Sequence, residues 1–226
     1  MQFDMREIAG VVKSAGALLF DTRAAGEITV KGRADFVTQV DLNLQERIKR
    51  ELFRRYPAVQ FMGEEQDNSG LDPAGAVWIL DPVDGTTNLI HHYNQSAVSL
   101  GLYEKGVGLA GVIYQPFTDE LFCAAKGCGA FLNGKPIRVS KTPTLAESLV
   151  AVGTNPYCKQ AAPGNFAAFQ RVFEACQDIR RSGSAALDLA YVACGRLDAY
   201  FEQNLKPWDY AAGMVLLKEA GGQVTD

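Results

Sequence analysis

The stretch Trp78–Leu89 reads WILDPVDGTTNL, an apolar run that ends in Asp81 and Asp84 and is followed directly by a glycine and two threonines. Carboxylates are costly to bury unless they are paired or bind something. One interpretation is therefore a ligand site. The other is a plain turn, because Asp, Pro and Gly all favour turns. The choice depends on whether distant parts of the chain supply further ligands.

Acidic residues recur at two comparable positions. The apolar segment AVQFM precedes Glu64 and Glu65, and Asp209 stands at the start of the predicted helix WDYAAGMVLLKEAGG. Alone, the glutamates would be a solvated pair and Asp209 a helix N-cap. Because α/β architectures place sites at the carboxyl ends of strands, we expect these acids to meet Asp81 and Asp84. Like charges so close raise each other's pKa unless a cation lies among them.

The chemistry of these candidate ligands favours a hard cation. All are oxygen donors, a set that suits Mg²⁺ first, then Mn²⁺ or Ca²⁺. Gly85 and Thr86 begin a predicted helical turn, where free backbone N–H groups bind phosphate oxygens. Metals held by carboxylates beside such an anion site predict phosphoryl chemistry, with a metal-activated water as nucleophile.

Other phosphate chemistries lack their motifs. The chain has no GxxxxGK[ST] loop, which excludes a Walker-A NTPase. No cysteine precedes an arginine in the tight loop that a thiol-nucleophile phosphatase needs. Asp81 and Asp84 are spaced i, i+3, whereas aspartyl-phosphate phosphatases use i, i+2.

Composition describes an ordinary acidic globular protein. The 226 residues carry a net charge of −4, which argues against nucleic-acid and membrane-surface partners. The basic segment RIKRELFRRYP (47–57) is interpreted as a solvated helix face, with a partner patch as the alternative. No apolar run reaches the roughly 20 residues that span a bilayer, and the N-terminus has no signal-peptide pattern. We therefore predict a cytoplasmic protein.

Cysteine and histidine contribute no site. The five cysteines form no CxxC pair and are predicted to be reduced, mostly buried thiols. His91 and His92 are sequence neighbours that point in different directions, so joint chelation is not expected.

The periodicity predicts two halves of mixed α/β (α+β) class. Residues 1–140 form an α+β half that carries most metal ligands, with helices over 2–22 and after Asp41. The segment 29–41 between them is predicted to be a strand edge and a mobile loop. Antiparallel strands follow, with turns at 104–106, 126–129 and 133–134. Residues 141–226 alternate strands and helices, which predicts a mainly parallel sheet.

Three motifs together identify a family resemblance. GEE (63–65), WILDPVDGTTNL (78–89) and WDYAAGMVLLKEAGG (208–222) resemble the inositol monophosphatase family of lithium-sensitive, magnesium-dependent phosphatases. RRSGSAALDLAYVACGRLDAYFE (180–202) is similar to its bacterial members. The resemblance implies a layered α-β-α-β-α sandwich, a homodimer, two or three Mg²⁺ ions with Mn²⁺ as a substitute, and inhibition by Ca²⁺ or Li⁺. It also leads us to expect a further strand and helix after GGQVTD (221–226).

The resemblance further implies roles for individual residues. Glu64, Asp81 and the Val83 carbonyl would hold one metal ion. Asp81, Asp84 and Asp209 would hold a second.

The catalytic and substrate-binding roles are implied in the same way. Thr86 with Glu64 would orient the attacking water, and Asp41 would bond to the Thr86 hydroxyl. The remaining residues would contact the substrate. Gly85, Thr86 and Lys31 would contact its phosphate. The alcohol would be contacted by Asp84, Gly183, Ser184, Ala185 and Glu202.

The leading hypothesis is therefore Mg²⁺-dependent hydrolysis of a phosphate monoester, with an inositol monophosphate as reference substrate. The alternatives on the same scaffold are fructose 1,6-bisphosphate, a 3′-phosphonucleotide or histidinol phosphate. A hypothesis of a different class is a non-catalytic metal- or partner-binding protein. Such a protein should have lost a carboxylate or Thr86, and none is lost.

Overall fold

A computed structural model describes residues 2–32 and 35–225. Within these residues the helices are α1 Met5–Gly16, α2 Thr22–Gly26, α3 Gln39–Arg55, α4 Thr86–Ile90, α5 Ala162–Ala175, α6 Ala185–Ala193 and α7 Pro207–Glu219. The strands are β1 Ile28–Gly32, β2 Asp35–Thr38, β3 Gln60–Gly63, β4 Ala76–Asp84, β5 Ala97–Glu104, β6 Val107–Gln115, β7 Glu120–Ala125, β8 Gly129–Leu132, β9 Lys135–Ile137, β10 Leu149–Val152, β11 Asp178–Arg180 and β12 Ala199–Phe201.

These elements stack in five layers that are held together by three apolar cores, the second of which spans two interfaces between layers. The first core joins α1 and α3 to a seven-stranded sheet. The second joins the opposite face of that sheet to α6 and α7 and to a three-stranded sheet. The third joins the small sheet to α5. The α-β-α-β-α order confirms the predicted fold class.

The seven-stranded sheet runs in the order β3 to β9. β3 is parallel to β4, and every later neighbour is antiparallel. The connection from β5 to β6 is the two-residue turn Lys105–Gly106, with φ of 51° and 74°. Asn133–Gly134 makes the same kind of turn between β8 and β9, with φ of 48° and 76°. Both turns lie where the sequence predicted them, because positive φ at both positions suits tight hairpins.

The small sheet has the order β11-β10-β12 and is fully parallel, as predicted for the second half. Successive residues of β10 face opposite cores. Val150 and Val152 pack towards α5, and Ala151 packs towards α6 and α7. The small side chain of Ala151 suits the face that carries the helices nearest the large sheet.

Several local predictions were wrong. The predicted helix over 2–22 ends at Gly16 and is followed by a 3₁₀ turn and α2. Asp41 lies in the first turn of α3 and does not precede the helix. Four thiols are only half-buried and Cys128 is exposed, so the cysteines are free but not mostly buried.

Most of the segment 29–41 forms the antiparallel pair β1–β2, and its last three residues begin α3. Residues 33 and 34, within the loop predicted to be mobile, lie outside the described residues. Across 2–32 and 35–225, no helix is long and apolar enough to cross a bilayer.

Candidate active site

A cavity of about 340 Å³ lies where the carboxyl ends of strands β4, β10 and β12 face the N-termini of α4, α6 and α7. Both halves of the chain contribute to its wall. The predicted site residues on that wall are Glu64, Asp81, Val83, Asp84, Gly85, Thr86, Gly183, Ser184, Ala185, Glu202 and Asp209. Asp41 and Lys31 are the predicted residues that the wall does not include.

A strand irregularity aims both aspartates of the opening motif into the cavity. β4 pairs with β5 through Asp81 opposite Ser99 and Asp84 opposite Ala97, with a register shift between them. Without the extra residue, positions three apart would face opposite sides of the sheet. The strand ends at Asp84, and Gly85, with φ of 94°, is the N-cap of α4. A Cβ at Gly85 would lie 2.8 Å from the Gln95 carbonyl oxygen, so the tight approach requires glycine.

Asp81, Asp84 and Asp209 each bind protein donors through one carboxylate oxygen. The Val83 N–H donates to Asp81 Oδ1 at 3.0 Å, and the Lys206 N–H donates to Asp209 Oδ2 at 2.6 Å. Asp84 Oδ2 accepts from the Ser184 hydroxyl at 2.5 Å and the Ala186 N–H at 2.7 Å. Within 2–32 and 35–225 the second oxygen of each aspartate accepts no hydrogen bond, so it remains available to a ligand.

Burial dominates the electrostatics of these acids. It raises the pKa of Glu64 to about 8, with Glu65 as the next cause. Burial also raises the pKa of Asp84 to about 7 and that of Asp209 to about 6. The pKa of Asp81 rises for the same reason, reinforced by the charge of Glu64. A nearby cation would reverse these shifts.

The donor set suits a hard metal ion. Glu64 and the free aspartate oxygens supply carboxylates, and the Val83 carbonyl lies on the same wall. Only oxygen is offered, as Mg²⁺ requires. In the described part of the chain, no three acidic, histidine or cysteine side chains already converge closely enough to hold an ion. The hydrogen bonds to Asp84 and Asp209 hold these carboxylates against the protein, so small side-chain rotations would accompany metal binding.

Thr86 stands at the start of α4 between two acceptors. Its hydroxyl lies 3.1 Å from Asp41 Oδ1 and 3.0 Å from the Val83 carbonyl oxygen. Asp41 Oδ2 is held by the N–H and hydroxyl of Thr38, at 2.8 and 2.5 Å. Burial raises the pKa of Asp41 to about 6, against the lowering effect of these hydrogen bonds. Asp41 thus both caps α3 and orients the Thr86 hydroxyl.

The opposite wall carries Glu202 and residues that sequence reasoning missed. Glu202 accepts hydrogen bonds from the Asn155 N–H at 2.9 Å and the Tyr200 hydroxyl at 2.7 Å. Asp188, with a pKa raised to about 7 chiefly by burial, and Arg181 also line the cavity. No local pattern marks these residues, because Arg181 donates to the Thr154 hydroxyl across 27 positions and folding brings Asp188 near Glu202.

Lys31 and the histidines lie away from the main cavity. Lys31 forms an ion pair with Glu65 and lines an adjoining cavity of about 360 Å³ that also contacts Glu64 and Asp209. His91 and His92 are exposed.

Similar proteins were found along nearly the whole chain. The model of the inositol monophosphatase family matches residues 4–226. The chain is 43% identical over 216 residues to the inositol-1-monophosphatase of Synechocystis sp., covering 95% of this chain and 75% of that protein. It is 41% identical over 217 residues to Nus factor SuhB of Escherichia coli K12, covering 95% and 81%. The solved structure of extragenic suppressor protein suhB from Bartonella henselae matches with a TM-score of 0.91 at 38% identity, covering 98% and 86%.

The family match spans both walls of the cavity, and the fold agrees with it. Hydrolysis of phosphoric monoesters is the activity class that follows from this membership. The chain belongs to the inositol monophosphatase family of phosphatases.

Proposed function

We propose that this chain hydrolyses an inositol monophosphate in a reaction that depends on Mg²⁺. The observation that supports this proposal most directly is that Glu64, Asp81, Asp84 and Asp209 line one cavity beside the start of α4. Four acids in one cavity, with Asp81 and Asp84 buried and the other two half-buried, are electrostatically unfavourable without a cation. A substrate phosphate at the same place would share that cation.

The proposed metal ligands are divided between two positions. Glu64, Asp81 and the Val83 carbonyl would hold one ion, and Asp81, Asp84 and Asp209 a second. When bound, such ions polarise the phosphoryl group, activate a water and stabilise the leaving oxygen. The free oxygens of the aspartates support this assignment.

The remaining roles fall to protein groups on the wall. The Thr86 hydroxyl, oriented by Asp41, would act with Glu64 on the attacking water. The first N–H groups of α4 have no intrahelical partner, so those of Gly85 and Thr86 would donate to the phosphate. Glu202 and the Gly183–Ala185 segment would face the leaving alcohol.

Phosphate release from purified protein with Mg²⁺ tests the proposal. The substrates are myo-inositol 1-phosphate, fructose 1,6-bisphosphate, a 3′-phosphonucleotide and histidinol phosphate. We expect the highest kcat/KM on the inositol ester and loss of activity in the Glu64→Gln, Asp84→Asn double variant. Glu46→Gln, an exposed acid on α3, is the matched control.

Equal rates of phosphate release by the wild type and the double variant would refute phosphatase activity and favour the non-catalytic alternative. A preference for another ester would keep the chemistry and change the substrate. Inhibition by Li⁺ or Ca²⁺ in the same assay and the mass of the particle in solution test the expected lithium sensitivity and homodimer.

Nucleic-acid binding needs its own test. The net charge of −4 argues against it, whereas the E. coli relative is named a Nus factor. We expect no shift of labelled RNA in a gel with this protein, and a salt-dependent shift would contradict that expectation.

A further inference from the structure

Glu202 occupies a place that leaves no room for a neighbouring side chain. β10 and β12 are parallel neighbours paired through Val152 and Phe201, so Gly153 and Glu202 emerge side by side from their carboxyl ends. A Cβ built on Gly153 would overlap the Glu202 carboxylate, and its three nearest atoms all belong to Glu202. The absence of a side chain at Gly153 therefore decides where this carboxylate lies.

Two donors fix the carboxylate from the other sides. The Asn155 N–H donates to Oε1 at 2.9 Å, and the Tyr200 hydroxyl donates to Oε2 at 2.7 Å. Asn155 is buried and has φ of 44°, so the backbone that presents this N–H is tightly constrained. Tyr200 packs its ring in the core below. Among the described residues, each oxygen of Glu202 thus has one hydrogen-bond donor.

We propose that Gly153, Asn155 and Tyr200 form a cradle that positions Glu202 to accept hydrogen bonds from two neighbouring hydroxyls of the leaving alcohol. This inference rests on the proposed phosphatase function. A carboxylate oxygen accepts about two hydrogen bonds, so each Glu202 oxygen keeps one acceptor direction free. The cradle residues act through Glu202 and are positioning residues for substrate specificity.

A pair of esters with the same carbon skeleton measures this specificity. Glycerol 3-phosphate carries two neighbouring hydroxyls, and n-propyl phosphate carries none. Tyr200→Phe should raise KM for glycerol 3-phosphate about tenfold, the size expected for one hydrogen bond to a charged group. The kcat for glycerol 3-phosphate should stay within about twofold of the wild-type value, and so should both kcat and KM for n-propyl phosphate. Tyr114→Phe, which removes a hydroxyl bonded to Asp119 far from the cavity, is the control.

A double-mutant cycle separates positioning from general damage. Gly153→Ala should raise KM for glycerol 3-phosphate at least as much as Tyr200→Phe does, because the new methyl group displaces the carboxylate. In a Glu202→Ala background the same substitution should change neither KM nor Tm, because the three atoms nearest to the new methyl group have been removed. Equal effects of Gly153→Ala in both backgrounds, or equal effects on both esters, would overturn the proposal.

Failure of the cradle and failure of the phosphatase function give different results. No phosphate release from any ester by the wild type refutes the function. The cradle is then tested by the Tm values of the same double-mutant cycle, Gly153→Ala with and without Glu202→Ala. Crystal structures of wild type and Gly153→Ala provide a second test. A Glu202 carboxylate that keeps its place in the variant would refute the cradle whatever the activity.

Discussion

At the residue scale, Asn88 joins the two walls of the cavity. It is buried, and its amide nitrogen donates to the Gln95 carbonyl at 2.6 Å and to the Ser182 carbonyl at 3.0 Å. A side-chain amide has two N–H protons, so both are used. The motif Trp78–Leu89 thus carries, besides its two aspartates, the Asn88 amide that holds the segment before Gly183 in place.

Replacing Asn88 with Asp tests this link. The change keeps the shape but removes both donors and sets a carboxylate against two carbonyl oxygens. We expect the free energy of unfolding to fall by about 1–3 kcal/mol, the cost of buried unsatisfied groups, and kcat/KM to fall with it. Urea unfolding and phosphate release measure these effects. Asn43→Asp on the exposed face of α3 should be neutral, and an equal loss there would contradict the expectation.

Thr86 gives a second residue-scale prediction. Thr86→Val preserves volume but removes the hydroxyl that bonds to Asp41 at 3.1 Å. We expect kcat to fall by about 10²–10⁴, the range for a group that directs a proton in the transition state, with little change in KM. Thr86→Ser keeps the hydroxyl and should keep most of the activity. If Thr86→Val had the same kcat as Thr86→Ser, the Thr86 hydroxyl would have no role in the reaction.

At the element scale, two glycines let α7 lie directly on the large sheet. Gly101 of β5 and Gly111 of β6 are cross-strand partners. A Cβ at Gly111 would lie 2.5 Å from the Ala212 carbonyl oxygen, and one at Gly101 would lie 2.9 Å from the Ala211 Cβ. α7 carries Asp209 in its first turn, so this close packing also sets the depth of an acid in the cavity.

Gly111→Ala should therefore reduce both stability and activity. Overpacking of this kind costs about 1–3 kcal/mol of unfolding free energy, and displacement of α7 moves Asp209. Gly10→Ala is the matched control, because nothing lies within 4 Å of a Cβ there and the residue is inside α1. It should raise stability by about 0.5–1 kcal/mol. Thermal unfolding and kcat of both variants check the contrast.

Features that depend on local sequence could be predicted, and those that depend on distant partners could not. The hairpin turns at Lys105–Gly106 and Asn133–Gly134 depend on the backbone preferences of those residues, so the sequence alone predicts where the turns lie. The roles of Asn88 and Glu202 depend on partners brought together by folding. Asn88 reaches Ser182 across 94 positions, and no periodic pattern records such a contact. Asp41 was assigned to the wrong helical position because Thr38 and Asp41 share the capping of α3.

At the scale of the whole molecule, the cavity concentrates buried acids whose folded-state pKa values lie above their unfolded values. Glu64 is raised to about 8, Asp84 to about 7 and Asp209 to about 6, each chiefly by burial. The folded state therefore holds protons that the unfolded state releases. Stability from these groups is fully present below about pH 4 and is lost as pH rises through about 6 to 8.

Metal-free protein should accordingly have a lower Tm at pH 8 than at pH 5, and Mg²⁺ should raise Tm more at pH 8. A cation bound only by the folded state stabilises it, and it competes with protons for the same carboxylates, so its effect grows as those protons leave. Glu64→Gln with Asp84→Asn removes two of these acids and should flatten both dependences, whereas Glu46→Gln should not. Calorimetry at the two pH values with and without Mg²⁺ measures this. A Mg²⁺ shift of equal size at both pH values would show that the ion binds elsewhere.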